Sequence, residues 1–265
     1  MPDPSRTRYI IIGMQRSGTT ATNRAVFGHP NICGIPDEFK VAPFFTQGIA
    51  AFTVGGINRW ERLRNYYKLF DSLTLYQAEK PDPEGKRLIG YCGTPDHPKQ
   101  EIRANGLKVA IPNAEDAKLL VDSLQEYLRD LVVIYVRRFD WVAQFASLLR
   151  AQKTGAWHSW TSETKNVSEQ KVRFEIPVAE FEQFIDGAKQ VGAELGRLRE
   201  SHRVHDFSYE KDLVGNSPAC WSDVFEFLGV PPIEPVWMRS SKVAPPLEEF
   251  VANVSELNRV LESRR

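Results

Sequence analysis

Gly13 and Gly18 frame a Gly-x-x-x-x-Gly spacing that also holds Gln15, Arg16 and Ser17, and Thr19 and Thr20 follow it. This is the spacing of a phosphate loop, where successive backbone N–H groups and the start of the next helix surround an anion. The hydroxyls of Thr19 and Thr20 add donors. Thr19 stands where a nucleoside triphosphatase carries a lysine, and the apolar run Leu131 to Val136 ends in Arg137-Arg138 where a magnesium-binding carboxylate is expected. Both departures point away from ATP or GTP hydrolysis and toward metal-free chemistry. Arg16 supplies the positive charge, reaching the bridging oxygen between a 5′-phosphate and the transferred group. A group with less charge than a phosphoryl can move without a metal, and sulfonate is the natural candidate.

The stretch Ile134 to Trp160 holds a further pairing of a cation with a hydroxyl. A strand ending at Arg137-Arg138, followed by a helix bearing Ser147, brings a guanidinium and a hydroxyl to one place beside the sheet's carboxyl edge. The planar fork of arginine suits phosphate because it donates two hydrogen bonds at once.

Gln15-Arg16-Ser17-Gly18-Thr19-Thr20 after an apolar strand resembles the 5′-phosphosulfate loop of the sulfotransferases, whose donor is 3′-phosphoadenosine-5′-phosphosulfate (PAPS). The run Asp140, Val142-Ala-Gln144, Ser147, Arg150-Ala151, Thr154 and Trp157 is most similar to the bacterial trehalose 2-sulfotransferase type. The resemblance implies that Arg138 and Ser147 bind the donor's 3′-phosphate, with Arg137, the first residue after the expected strand, as the competing arginine. His205 to Leu213 resembles the family's strand and "YE-x-L" segment, which implies Tyr209 as a donor-binding residue, and the stretch with Arg239 and Lys242 resembles the C-terminal loop that closes over the nucleotide, which implies both as contacts of the 3′-phosphate.

Sulfonate transfer to an alcohol requires a base for the hydroxyl proton and cations for the leaving phosphate. Cytosolic sulfotransferases use a histidine two residues after a strand lysine; here Lys108-Val109-Ala110 has the lysine and lacks the histidine. Lys108 is then either a donor-site cation or a strand-end lysine in water. The segment Gly34 to Phe39 resembles the part of the trehalose type that carries a glutamate base, which implies Glu38 in that role, with Asp37 its neighbour and competitor. Trp60, Trp141, Trp157 and Trp160 are candidates for stacking on adenine or a sugar, or for packing, and His158 is the histidine nearest a motif.

These residues need elements to hold them, and the apolar runs predict which. Tyr9 to Ile12 reads as a buried strand, Gly18 to Phe27 as a helix, and Ile32 to Ile35 as a short strand from which Pro36-Asp37-Glu38-Phe39 turns out. Phe44 to Leu75 reads as helical and Glu79 to Gly85 as a loop. Leu107 to Ile111, Leu131 to Val136 and Val204 to Tyr209 read as further strands. Ala114 to Leu128, Asp140 to Lys153, Val178 to Arg199, Pro218 to Leu228 and Leu247 to Glu262 read as helices. Continuously apolar strands alternating with helices predict an α/β fold, a P-loop-like parallel sheet with helices on both faces, as a single domain over residues 1–265.

Across 265 residues, 34 Lys+Arg balance 34 Asp+Glu, so the chain lacks the global basic field that nucleic acid or an anionic membrane calls for. Cys33, Cys92 and Cys220 form no C-x-x-C pair and read as buried small hydrophobes in a reducing compartment, with neither a disulfide framework nor a zinc site. No run approaches the ~20 apolar residues of a membrane span, and the expectation is a cytoplasmic protein. Its partner is a small hydroxyl acceptor, with carbohydrate the first choice from the resemblance, and a homodimer is among the assemblies the resemblance allows. PAPS is the expected donor, 3′,5′-adenosine bisphosphate its product, and no metal is expected. Two rivals stand beside this reading: a P-loop kinase-like phosphotransferase and a PAPS-binding regulatory protein without activity.

Overall fold

The computed structural model of the chain describes residues 6–38, 102–155, 173–215, 218–234 and 246–264. Tyr9, Ile10, Ile11 and Ile12 are fully buried in β1 (Thr7–Met14). A strand buried on both faces needs neighbours at both edges and cover above and below. β1 pairs in parallel with β3 (Ala104–Ile111) on one side and β4 (Val132–Arg137) on the other. β2 (Ile32–Glu38) flanks β3 and β5 (Arg203–Ser208) flanks β4, giving a five-stranded parallel sheet in the order β2-β3-β1-β4-β5.

The period-two alternation of the strands divides the core. Ile10 and Ile12, with Leu107, Val109 and Val133, pack beneath α2 (Ala114–Tyr127) and α4 (Val178–Gly196). Tyr9 and Ile11, with Ile134, Val136 and Phe207, pack against α1 (Thr19–Phe27) and α5 (Pro218–Phe227). Each fully buried isoleucine contributes about 1.5–3 kcal/mol. A third cluster joins Val142 and Phe145 of α3 (Trp141–Thr154) to Phe181 and Ile185 of α4, to Phe250 of α6 (Leu247–Phe250) and to Leu257 of α7 (Val254–Ser263). That cluster anchors α3 beside the sheet. The result is the single α/β domain with helices on both faces that continuously apolar strands require.

Several boundaries differ from the sequence expectation. β2 runs on to Glu38 through a register shift between Gly34 and Glu38, where a turn was expected from Pro36. Pro36 falls inside that register shift, on the edge strand of the described sheet, both places where a strand tolerates a proline. β5 stops at Ser208, and Tyr209–Val214 forms a π-helical turn rather than the strand's last residue. α4 ends at Gly196 and continues as a 3-10 turn, Arg197–Glu200. The expected terminal helix is two helices. Its backbone breaks because Phe174 and Ala252 donate N–H···O bonds to Phe250 and Phe174 (both 2.9 Å), and Asn253 clasps both backbone groups of Ile176. Cys33 is disulfide-bonded and Cys220 is free, which corrects the reading of three reduced cysteines and removes that support for a reducing compartment. Among the described residues no helix is long and apolar enough to cross a membrane.

Candidate active site

The carboxyl ends of β1, β3 and β4 meet at the Gly13–Gly18 loop. Gly13 is required there, since a Cβ on it would lie 2.5 Å from both Ser17 Oγ and the Val136 carbonyl. The turn closes through Ser17 N donating to Met14 O (3.1 Å), and Gln15 N donates to Ile111 O at the end of β3 (3.1 Å). Arg16 is left-handed at φ 65°, a conformation costing of order 1–3 kcal/mol in a non-glycine residue and kept only where surroundings impose it. The surroundings are specific. Arg16 Nε donates to Ser147 Oγ (3.0 Å), Arg138 Nη1 donates to the Arg16 carbonyl (3.2 Å), and Gln144 Nε2 donates to the Gln15 carbonyl (2.8 Å).

This loop presents donors. α2 and α3 are capped by Asn113 and Asp140, each accepting a backbone N–H at 2.8 Å. α1 instead begins at Gly18 (φ 99°) with no side-chain cap and no acid in its first turn, so its leading N–H groups face the loop. Ser17 Oγ is buried with no hydrogen-bond partner among the described residues, and Thr19 is buried beside it. Arg138 Nε is likewise buried and unpartnered among the described residues, while its guanidinium lies 4.2 Å over the Tyr209 ring. Burial first, and then the Arg138 charge, pull Arg16 below the ordinary arginine range, although an arginine remains protonated. Two cations set against each other at a half-closed loop create a cost that an anion removes.

The structure brings Gln15, Arg16, Ser17, Gly18, Thr19, Arg138, Ser147 and Tyr209 together, with Thr20 the second residue of α1. It separates Arg137 from them. Arg137 is the last residue of β4, and its side chain packs over Phe139 (4.9 Å) and Tyr135 (5.8 Å) with Asp206 at 3.9 Å. Consecutive side chains leave a strand on opposite sides, so only one of the two arginines can face the loop. Lys108 lies inside β3 and is 1% exposed, which overturns the alternative of a strand-end lysine in water. Its backbone stands opposite Ile11 on one side and Glu38 on the other, so the lysine and the candidate base are cross-strand neighbours. Trp141 donates its indole N–H to the Arg138 carbonyl (3.1 Å) and so fixes this turn. Arg239, Lys242, Trp60, Trp157, Trp160, His158 and the stretch Phe44 to Gly85 lie outside the described residues.

Two residues of the site escaped the sequence reading in their roles. Gln144, buried on α3 one turn before Ser147, holds the loop's first carbonyl. Glu210 receives the backbone N–H groups of Phe139 and Asp140, both at 3.1 Å. The available signals were a glutamine one turn before Ser147 and an acid directly after Tyr209.

No protein-family model and no curated protein matches the chain. Among solved structures it is similar to a sulfotransferase from Alicyclobacillus acidocaldarius, with TM-score 0.49 and 17% identity over 98% of this chain and 95% of that one. It is also similar to the sulfotransferase domain of the Synechococcus olefin synthase, with TM-score 0.46 and 15% identity over 99% and 90%. A sulfotransferase from Mycobacterium avium gives TM-score 0.44 and 13% identity over 99% and 76%.

Proposed function

We propose that this chain is a sulfotransferase that moves a sulfonate from PAPS to a hydroxyl of a small acceptor, carbohydrate being the first candidate. The observation that carries the reading is the convergence of Arg16, Arg138 and Ser147 on the uncapped start of α1, with Ser17 Oγ and Arg138 Nε left buried without partners among the described residues. Those orphaned donors fit a doubly phosphorylated nucleotide. Ser17, Gly18, Thr19 and Thr20 hold the 5′-phosphosulfate with Arg16 and Gln15, and Arg138 and Ser147 hold the 3′-phosphate, with Arg239 and Lys242 as the further cations that the resemblance implies.

PAPS supplies an activated sulfonate on a phosphate leaving group. Arg16 and Lys108 hold the negative charge that collects on that phosphate, and Glu38 accepts the acceptor's hydroxyl proton. The backbone pairing of Glu38 with Lys108 supports this division, since it sets an acid at the carboxyl end of β2 opposite a cation on the neighbouring strand. A kinase-like reading needs a carboxylate for magnesium at the end of β4, where Arg137 and Arg138 stand.

Titration calorimetry without magnesium tests the reading by comparing adenosine 3′,5′-bisphosphate with ADP, in the wild type and in Arg138→Ala. The expected result is a preference for the bisphosphate that the substitution abolishes. Equal affinity for both nucleotides in the wild type would reject the 3′-phosphate site and with it PAPS.

A further inference from the structure

We propose that the π-turn Tyr209–Val214 is a brace, and that Tyr209 and Glu210 are positioning residues which hold Arg138 toward the phosphate loop and so set selectivity for a 3′-phosphorylated nucleotide. The inference rests on the donor reading above.

The turn is built to be stiff. Ser208 Oγ accepts from Lys211 N (3.2 Å) and Ser208 N donates to Asp212 Oδ2 (2.7 Å), locking both ends of its first half. π-turns are rare and concentrate at functional sites. From this turn three contacts reach the site. The Tyr209 ring lies under the Arg138 guanidinium at 4.2 Å. The same ring packs on Gly18, where a Cβ would come within 2.7 Å of Tyr209 Cδ2 and 2.9 Å of Leu213 Cδ2. The Glu210 carboxylate receives the N–H groups of Phe139 and Asp140, the two residues after Arg138.

These contacts fix Arg138 without neutralising it. Among the described residues Arg138 has no carboxylate partner; its supports are an aromatic face and the Arg16 carbonyl. Glu210, the acid nearest in the chain to that support, directs its oxygens to backbone amides instead. A carboxylate clamp would hold the guanidinium equally well and cancel the charge a phosphate dianion needs. A ring and a carbonyl leave that charge available.

The test uses Glu210→Ala, Glu210→Gln, Tyr209→Leu and Tyr209→Phe in the full chain, each checked for folding by far-ultraviolet circular dichroism. In calorimetry Glu210→Ala is expected to weaken adenosine 3′,5′-bisphosphate by about tenfold or more while ADP affinity stays unchanged, and Glu210→Gln, which keeps an accepting oxygen, restores the preference. An equal loss for both nucleotides, or no loss, overturns the selectivity role. A second readout needs no nucleotide: phenylglyoxal labelling of Arg138, followed by peptide mass spectrometry. Labelling is expected to be severalfold faster in Glu210→Ala and Tyr209→Leu than in the wild type and in Tyr209→Phe. Unchanged labelling overturns the brace. A wild type with no bisphosphate preference overturns the donor reading and the selectivity role together, and the labelling then separately decides whether the turn positions Arg138.

Discussion

At the residue scale the site is organised around hydrogen bonds that join loop, helix and strand. Ser147 Oγ accepts from Arg16 Nε, which leaves its own hydroxyl proton to donate elsewhere. Arg138 supports the strained Arg16 peptide through its carbonyl, so one arginine shapes the loop and the other charges it. The proton acceptor in this scheme is Glu38, whose backbone pairs with that of Lys108 across β2 and β3. Glu38→Gln keeps the size of the side chain and removes its basicity. It is expected to bind adenosine 3′,5′-bisphosphate as the wild type does and to lose about 10²–10⁴-fold in kcat for sulfonate transfer. Transfer from ³⁵S-labelled PAPS to a hydroxyl acceptor measures this, and a variant with wild-type turnover would take Glu38 out of the mechanism.

At the element scale, α1 and the Tyr209–Val214 turn share one tight contact at Gly18. The left-handed φ of 99° and the 2.7 Å gap to Tyr209 Cδ2 both forbid a Cβ. Gly18→Ala must therefore strain the loop and push the turn away at the same time. The expected cost is about 1–3 kcal/mol of strain from the backbone alone, and for a chain of this size each kcal/mol lowers Tm by roughly 2–4 °C. Differential scanning calorimetry reads the first effect, and inorganic phosphate binding, expected to weaken, reads the second. A Gly18→Ala variant with unaltered Tm and phosphate affinity would mean that the loop relaxes freely and that its observed geometry is not imposed.

At the scale of the whole molecule, two of the histidines packed beside the sheet are held by backbone groups. His29 bonds the Pro231 carbonyl (2.7 Å) and accepts from Asn31 N (3.0 Å); His202 bonds the Leu128 carbonyl (3.1 Å). Burial holds His29, His202 and His205 below the ordinary histidine value. The unfolded chain therefore takes up more protons than the folded one as pH falls below about 6.5, and stability is lost in that direction. Tm is expected to fall between pH 7.5 and pH 5.5, and to fall less in His29→Gln. Identical pH slopes for the two proteins would exclude His29 as a source of the acid sensitivity.

The loop itself was legible in the chain alone, because it is contiguous: its glycines, its cation and its hydroxyls run from the end of β1 into the first turn of α1, and spacing carries their geometry. The continuously apolar runs likewise determined a parallel sheet, since only strands covered on both faces can be apolar throughout. What joins distant segments was not readable. The resemblance named Arg138 with Arg137 as its competitor, and which of the two faces the loop depends on where β4 ends, a matter of a single residue. That Lys108 stands opposite Glu38 depends on β2 continuing past Pro36 through a register shift, on the strand that edges the sheet of the described residues. The roles of Gln144 and Glu210 required knowing which backbone groups lie within reach of each side chain, and such contacts between residues far apart in the chain are made by the packing of elements rather than by any local pattern.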